Sequence, residues 1–181
     1  MSSIRLTVLA SVMAAAPGFT LAAQPRTSYT IASYAHDGGR APDTARITAM
    51  LAKGDSLEVR GHVTAARRQY RSLIDHQLEA GQYPVQALWR LANSYYFQND
   101  ELRTAATLDE LAEAAGQYGD PTTELRASFE SAVLYQRHKQ SERVAQRVLR
   151  VRALLHSPAI AEATKKEFAK RIADGESRVT Y

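Results

Sequence analysis

The side chains with which this chain could do chemistry are five histidines, 19 carboxylates and 23 lysines and arginines, with no cysteine. The histidines are His36, His62, His76, His138 and His156, and they fall in separate segments. None stands in HExxH or another spacing that would bring two imidazoles to one metal ion. His138 and His156 lie at or near the ends of predicted helices, where an imidazole ordinarily caps the last carbonyls. His76 and Glu79 are spaced to face each other on a helix, and a solvated pair is expected there rather than an acid–base couple. Asp109, Glu110 and Glu113 form an acidic cluster with no neighbour that would raise a carboxylate pKa, so a solvated face is again expected. The chain has no GxGxxG, no phosphate loop and no GxSxG. Asp37-Gly38-Gly39-Arg40 is too short for a phosphate cradle. The missing cysteines remove disulfides, CxxC redox chemistry and thiolate zinc sites together. Recognition rather than catalysis is therefore expected, with no cofactor and no metal.

The elements that would carry a recognition surface follow from composition and breakers. The 181 residues are 45% hydrophobic and 23% charged, the make-up of a folded domain with a sizeable core. Alanine is abundant while glycine (9) and proline (6) are few, which favours helix. A net charge of +4 permits anionic partners but is far weaker than nucleic-acid binders carry.

The first 23 residues have the layout of a secretory signal peptide: a short charged end at Arg5, an apolar run over 6–16, a break at Pro17-Gly18, and small residues for cleavage after Ala22 or Ala23. Export across the inner membrane to the periplasm is the resulting expectation. The rival is an uncleaved anchor, since 6–25 carries no charge over about the length of a membrane span. Residues 24–41 have no helical period, are rich in Ser, Thr, Gly and Pro, and read as a flexible linker.

From residue 42 onward apolar residues recur at three- and four-residue spacing between regular breakers. Seven helices are expected, near 43–59, 63–78, 84–97, 101–115, 121–136, 141–155 and 159–173, and no strand. Pro84 and Pro121 are placed in first-turn slots, and Ser157-Pro158 at the cap of the last helix. Small residues recur once per helix pair, at Gly54, Ala92 and Ala132, at steps of 38 and 40 residues. Each is followed three residues later by a large one, Leu57, Tyr95 or Tyr135. A period in this range signals a solenoid of stacked hairpins.

At these residues the chain resembles the tetratricopeptide repeat (TPR) family. The middle unit carries the best match, Leu91-Ala92-Asn93-Ser94-Tyr95-Tyr96, then Gln98-Asn99-Asp100, Leu108 and Leu111. Gly54, Gly61, Ala66 and Tyr70 carry it in the first unit, and Ala132 and Tyr135 in the third. Two departures stand out: the period exceeds the family's usual ~34 residues, and Thr104 replaces a small alanine. The resemblance implies an all-α solenoid over 42–158, with 159–181 as a capping helix and tail. It also implies a concave wall formed by the first helix of each pair. That wall would offer Asp55 and Glu58, then Trp89, Asn93, Tyr96 and Phe97, then Arg126, Phe129, Val133 and Arg137. Trp89 and Phe129 are also placed to pack between helices, whereas Tyr96 and Phe97 favour exposure because Tyr95 takes the inward slot.

Charge is unevenly spread. Residues 136–181 hold 11 bases against 5 acids, and 99–130 hold 8 acids against 2 bases. Lys139, Arg143, Arg147 and Arg150 form one stripe, with Lys165, Lys166, Lys170 and Arg171 on the last helix. Such runs are either solvated outer faces or a basic docking face for an acidic protein or an anionic membrane surface. Nucleic acid is not expected, because the stripe lacks interleaved aromatics. A non-catalytic module binding a segment of a protein partner is the leading expectation. A structural subunit of a membrane complex, tethered by an uncleaved N-terminal helix, is the alternative.

Overall fold

A computed structural model describes residues 43–177, with side chains through 173. The expected signal peptide, linker and final tail residues lie outside them. Within them the protein is all-α, with helices α1 (Thr44–Val59), α2 (Val63–Glu79), α3 (Val85–Tyr96), α4 (Glu101–Gln117), α5 (Pro121–Arg137), α6 (Ser141–Leu155) and α7 (Glu162–Ser177).

Local chemistry explains most of these bounds. Asp43, Asp100 and Asp120 sit at the N-caps of α1, α4 and α5, and each carboxylate accepts the backbone N–H three residues on, at 3.0–3.1 Å. Pro84 occupies the N-cap of α3, one position earlier than expected. The C-termini of α1 to α5 all close alike, through a left-handed residue: Gly61, Gly81, Asn99, Gly119 and Lys139. In each case the following N–H reaches back to a carbonyl five residues earlier, as from His62 to Leu57 and from Gln140 to Tyr135. This closure recurs every 18–20 residues and then stops. After α6 the chain instead turns through Ser157, whose carbonyl accepts from Ile160 N–H, and α7 begins at Glu162, later than the proline suggested.

Packing follows two patterns. Successive helices pair closely from α1–α2 through α5–α6. Helices two apart are also joined, in two rows. In the odd row, Arg90 of α3 pairs with Asp55 of α1 at 2.8 Å, Arg126 of α5 lies 5.6 Å from the Trp89 ring of α3, and Phe168 of α7 meets Phe129 of α5. In the even row, Arg71 of α2 pairs with Glu110 of α4, and Arg147 of α6 with Asp109 of α4. Neighbour contacts plus next-but-one contacts are the geometry of a solenoid. At one edge, Tyr83 of the α2–α3 loop stacks on Tyr118 of the α4–α5 loop, with ring centroids 5.2 Å apart.

The core is assembled by small residues meeting large ones. Gly54 is buried against the Tyr70 ring. Ala66, Leu73, Ile74, Leu88, Leu91 and Ala92 continue the seam through α2 and α3. Thr104 fits where an alanine was expected because its hydroxyl donates to Asp100 O at 2.9 Å, satisfying itself within its own helix.

Candidate functional site

The odd row is where the wall residues were expected, and the structure divides them. In the first unit Asp55 and Glu58 are engaged with each other's neighbours. The Tyr70 hydroxyl lies 2.8 Å from Asp55 Oδ1 and 3.2 Å from Glu58 Oε2, while Arg90 Nε donates to both Asp55 oxygens. Burial pushes the Tyr70 phenol well above its ordinary range, and the Asp55 carboxylate beside it adds to the shift. The network is a structural tie between α1, α2 and α3. Arg90, which completes it, was not singled out by sequence, because nothing local marks an arginine for a partner 35 residues away.

The second unit is open. Trp89, Asn93 and Tyr96 are half-buried, and Phe97 is 66% exposed with its ring edge-on to Tyr96 at 6.1 Å. Asn93 Oδ1 is buried without a hydrogen-bond partner. Arg126 of α5 is exposed and holds its guanidinium toward Trp89. These five residues form one patch of aromatic area with polar groups at its margin.

The third unit corrects the expected wall. Phe129 and Val133 are each 1% exposed and belong to the core. Phe129 is covered by α7, whose Phe168 ring lies edge-on at 5.3 Å and whose Arg171 guanidinium stands 4.4 Å from the ring centre. Arg137 is drawn to the start of α4, where Glu101 binds both it and His138.

The basic face is largely engaged in pairs within the fold, although Arg143 and Arg150 remain exposed. Arg147 pairs with Asp109 at 2.8 Å, Arg150 with Glu124, and Arg171 with Glu130 at 3.0 Å. Arg143 donates to the Tyr135 hydroxyl at 2.7 Å, and Lys165 pairs with Glu162 on its own helix. Lys139 is exposed at the left-handed closure of α5, and Lys166 and Lys170 are exposed on α7. The acid-rich and base-rich segments of the sequence therefore fold against each other. Asp109 is held by Arg147 rather than solvated as expected, whereas Glu110, paired with Arg71 at the surface, and Glu113 both stand out in water.

Glu130 is, with Glu124, one of the two buried carboxylates of this set. Its Oε1 accepts from Arg171, while Oε2 is buried without a partner. Burial raises its pKa above the ordinary carboxylate range, only partly opposed by Arg171 and Arg126, and Glu167 adds to the rise. A raised pKa means that the folded state holds the proton more tightly than the unfolded chain. Stability is then gained as pH falls through the folded value toward the ordinary carboxylate range, and is lost on the way back up. Glu130→Gln is expected to be at least as stable as the parent at pH 7, with the advantage shrinking as the solution is made acid. Urea unfolding of both proteins across pH 4.5 to 7 reads this, about 4.5 being the unshifted value. A variant less stable at neutral pH by more than about 1 kcal/mol would show the ion pair outweighing the cost of burying the carboxylate.

His76 and Glu79 line an open cleft of about 510 Å³ between α1 and α2, shared with Arg46, Arg68, Arg71 and Asp75. Its charges are mixed in sign. Among the described residues no three His, Asp or Glu side chains are grouped to hold a metal ion, and no helix is long and apolar enough to cross a membrane.

No protein-family model matches the chain, and comparison with curated proteins and with solved structures likewise gives no match. The tetratricopeptide likeness accordingly rests on the sequence residues quoted for it.

Proposed function

We propose that this protein is an exported, non-catalytic interaction module of TPR-like type, which takes a segment of a protein partner against the odd-numbered helices. The observation that carries the reading is the Trp89, Asn93, Tyr96, Phe97 and Arg126 patch. An exposed Phe97 beside the half-buried rings of Trp89 and Tyr96 and an exposed arginine supplies the apolar area and the hydrogen-bond donors that a peptide needs. The export half of the proposal is supported by the residue layout of the first 23 positions alone.

Replacing Tyr96 and Phe97 together by alanine is expected to weaken partner capture at least thirtyfold, the scale of about 2 kcal/mol for truncated aromatic anchors. The full chain, expressed with its leader, serves as bait in an extract of its own cell envelope, parent and variant side by side. Helicity by circular dichroism should stay unchanged. Capture that survives the double substitution would remove this patch from the reading.

The uncharged run over 6–25 keeps the tethered-subunit alternative alive. Sequencing the mature N-terminus separates the two: a start at Ala23 or Gln24 leaves no anchor, and an intact leader favours the tether. The basic docking face draws less support, since four of its arginines are engaged within the fold.

A further inference from the structure

Arg126, Phe129 with Glu130, and Val133 follow one another at three- and four-residue spacing, so they form a single stripe along α5. Arg126 joins that stripe to the open patch on α3 through Trp89. The stripe is thus the continuation of the proposed binding surface, and its middle is already filled. Its occupant is one face of α7: Phe168 against Phe129, and Arg171 over the same ring and on Glu130 Oε1.

Three observations set α7 apart from the helices before it. The left-handed closure that ends α1 to α5 is missing at its junction with α6. The close pairing of successive helices runs only as far as α5–α6. Of the described α7 side chains from 162 to 173, Phe168 alone is buried. Behind the buried Ile160 of its lead-in, the helix itself is held by the Phe168 ring, the half-buried Ile172 and one arginine, a small apolar area for its length, and its docking leaves Glu130 Oε2 without a partner.

We propose that α7 is a displaceable strap that holds the third section of the groove as a stand-in for the partner, and that the partner displacing it is a helical segment carrying an aromatic residue and an arginine three positions later. The inference rests on the reading that the odd row is the binding surface. The aromatic is required by the Phe129 face. The arginine is required because an uncovered Glu130, set deep in α5, must find a cation or take up a proton.

A fluorescein-labelled synthetic peptide of residues 159–177 is the probe, read by anisotropy against two full-length proteins. One is the parent and the other carries Phe168→Ala with Arg171→Ala, which disables the resident strap. Binding at least tenfold tighter to the disabled chain is expected, and a peptide bearing the same two substitutions should lose it. Equal binding to both proteins, or a disabled chain that loses its helicity throughout, overturns the strap, the second outcome making α7 an integral part of the array. Hydrogen exchange on the unaltered protein gives an independent reading. Amides of α7 should exchange at least tenfold faster than those of the α5 centre, and equal protection would mean that α7 opens only with the whole molecule. No outside partner enters these measurements, so their failure leaves the Tyr96–Phe97 test standing, and the reverse also holds.

Discussion

Gly54→Ala should destabilise the protein by roughly 2–3 kcal/mol, the reverse of what this exchange usually does inside a helix. Alanine ordinarily gains about 1 kcal/mol over glycine there, because it loses less backbone freedom on folding. Here the added methyl carbon would lie 2.3 Å from Tyr70 Cε1, with Cδ1 and Cζ at 2.8 and 2.9 Å. The ring has nowhere to go. It is fully buried, and its hydroxyl is held between Asp55 and Glu58. Relief must come from moving α1 away from α2, which opens the seam of the first hairpin, and overpacking of this kind costs about 1–3 kcal/mol or more. Urea unfolding of parent and variant measures the difference. A variant as stable as the parent, or more stable, would mean that the two helices do not approach as closely as the Gly54–Tyr70 contact requires.

Phe129→Ala should cost about 3–5 kcal/mol, the range for truncating a fully buried aromatic. Phe97→Ala should stay within about 0.5 kcal/mol, as surface exchanges do. The comparison is informative because the two phenylalanines belong to the same expected wall, yet one is 1% exposed and the other 66%. Part of the loss at Phe129 belongs to α7, whose Phe168 and Arg171 both rest on that ring. Loss of exchange protection in α7 should therefore accompany the fall in unfolding free energy. Similar stabilities for the two variants would place Phe129 at the surface and leave α7 without its seat.

Between these two residues lies the difference between what a fold needs and what a binding site needs. A buried aromatic contributes the free energy of its own removal from water, and a partner cannot reach it. An exposed one costs the free protein little and is available to a guest. Phe97 is available in this sense, and the Phe129 end of the groove is available only if α7 leaves.

The sequence by itself determined the helices, their number among the described residues and most of their ends. The signals involved are short-range. Aspartates at 43, 100 and 120 accept N–H groups three residues on, glycines at 61, 81 and 119 take the left-handed turn, and apolar residues repeat within each helical turn. The small residues at 54, 92 and 132 also showed that hairpins stack, and all three are buried. At Ser157-Pro158 the local signal is ambiguous, and these residues form a turn before α7 instead of capping it.

Only the tertiary structure decided which charges face water and which part of the wall is open. The pairs that settle this join residues 35 to 41 apart, as in Arg90 with Asp55, Arg71 with Glu110 and Arg171 with Glu130. Their meeting depends on how each hairpin is rotated against the next, a small angle that accumulates along the array and leaves no mark in local spacing. The same rotation carries α7 over Phe129 while leaving Phe97 uncovered. Periodicity can place a residue on a face, but whether another helix arrives to cover that face is a property of the stack.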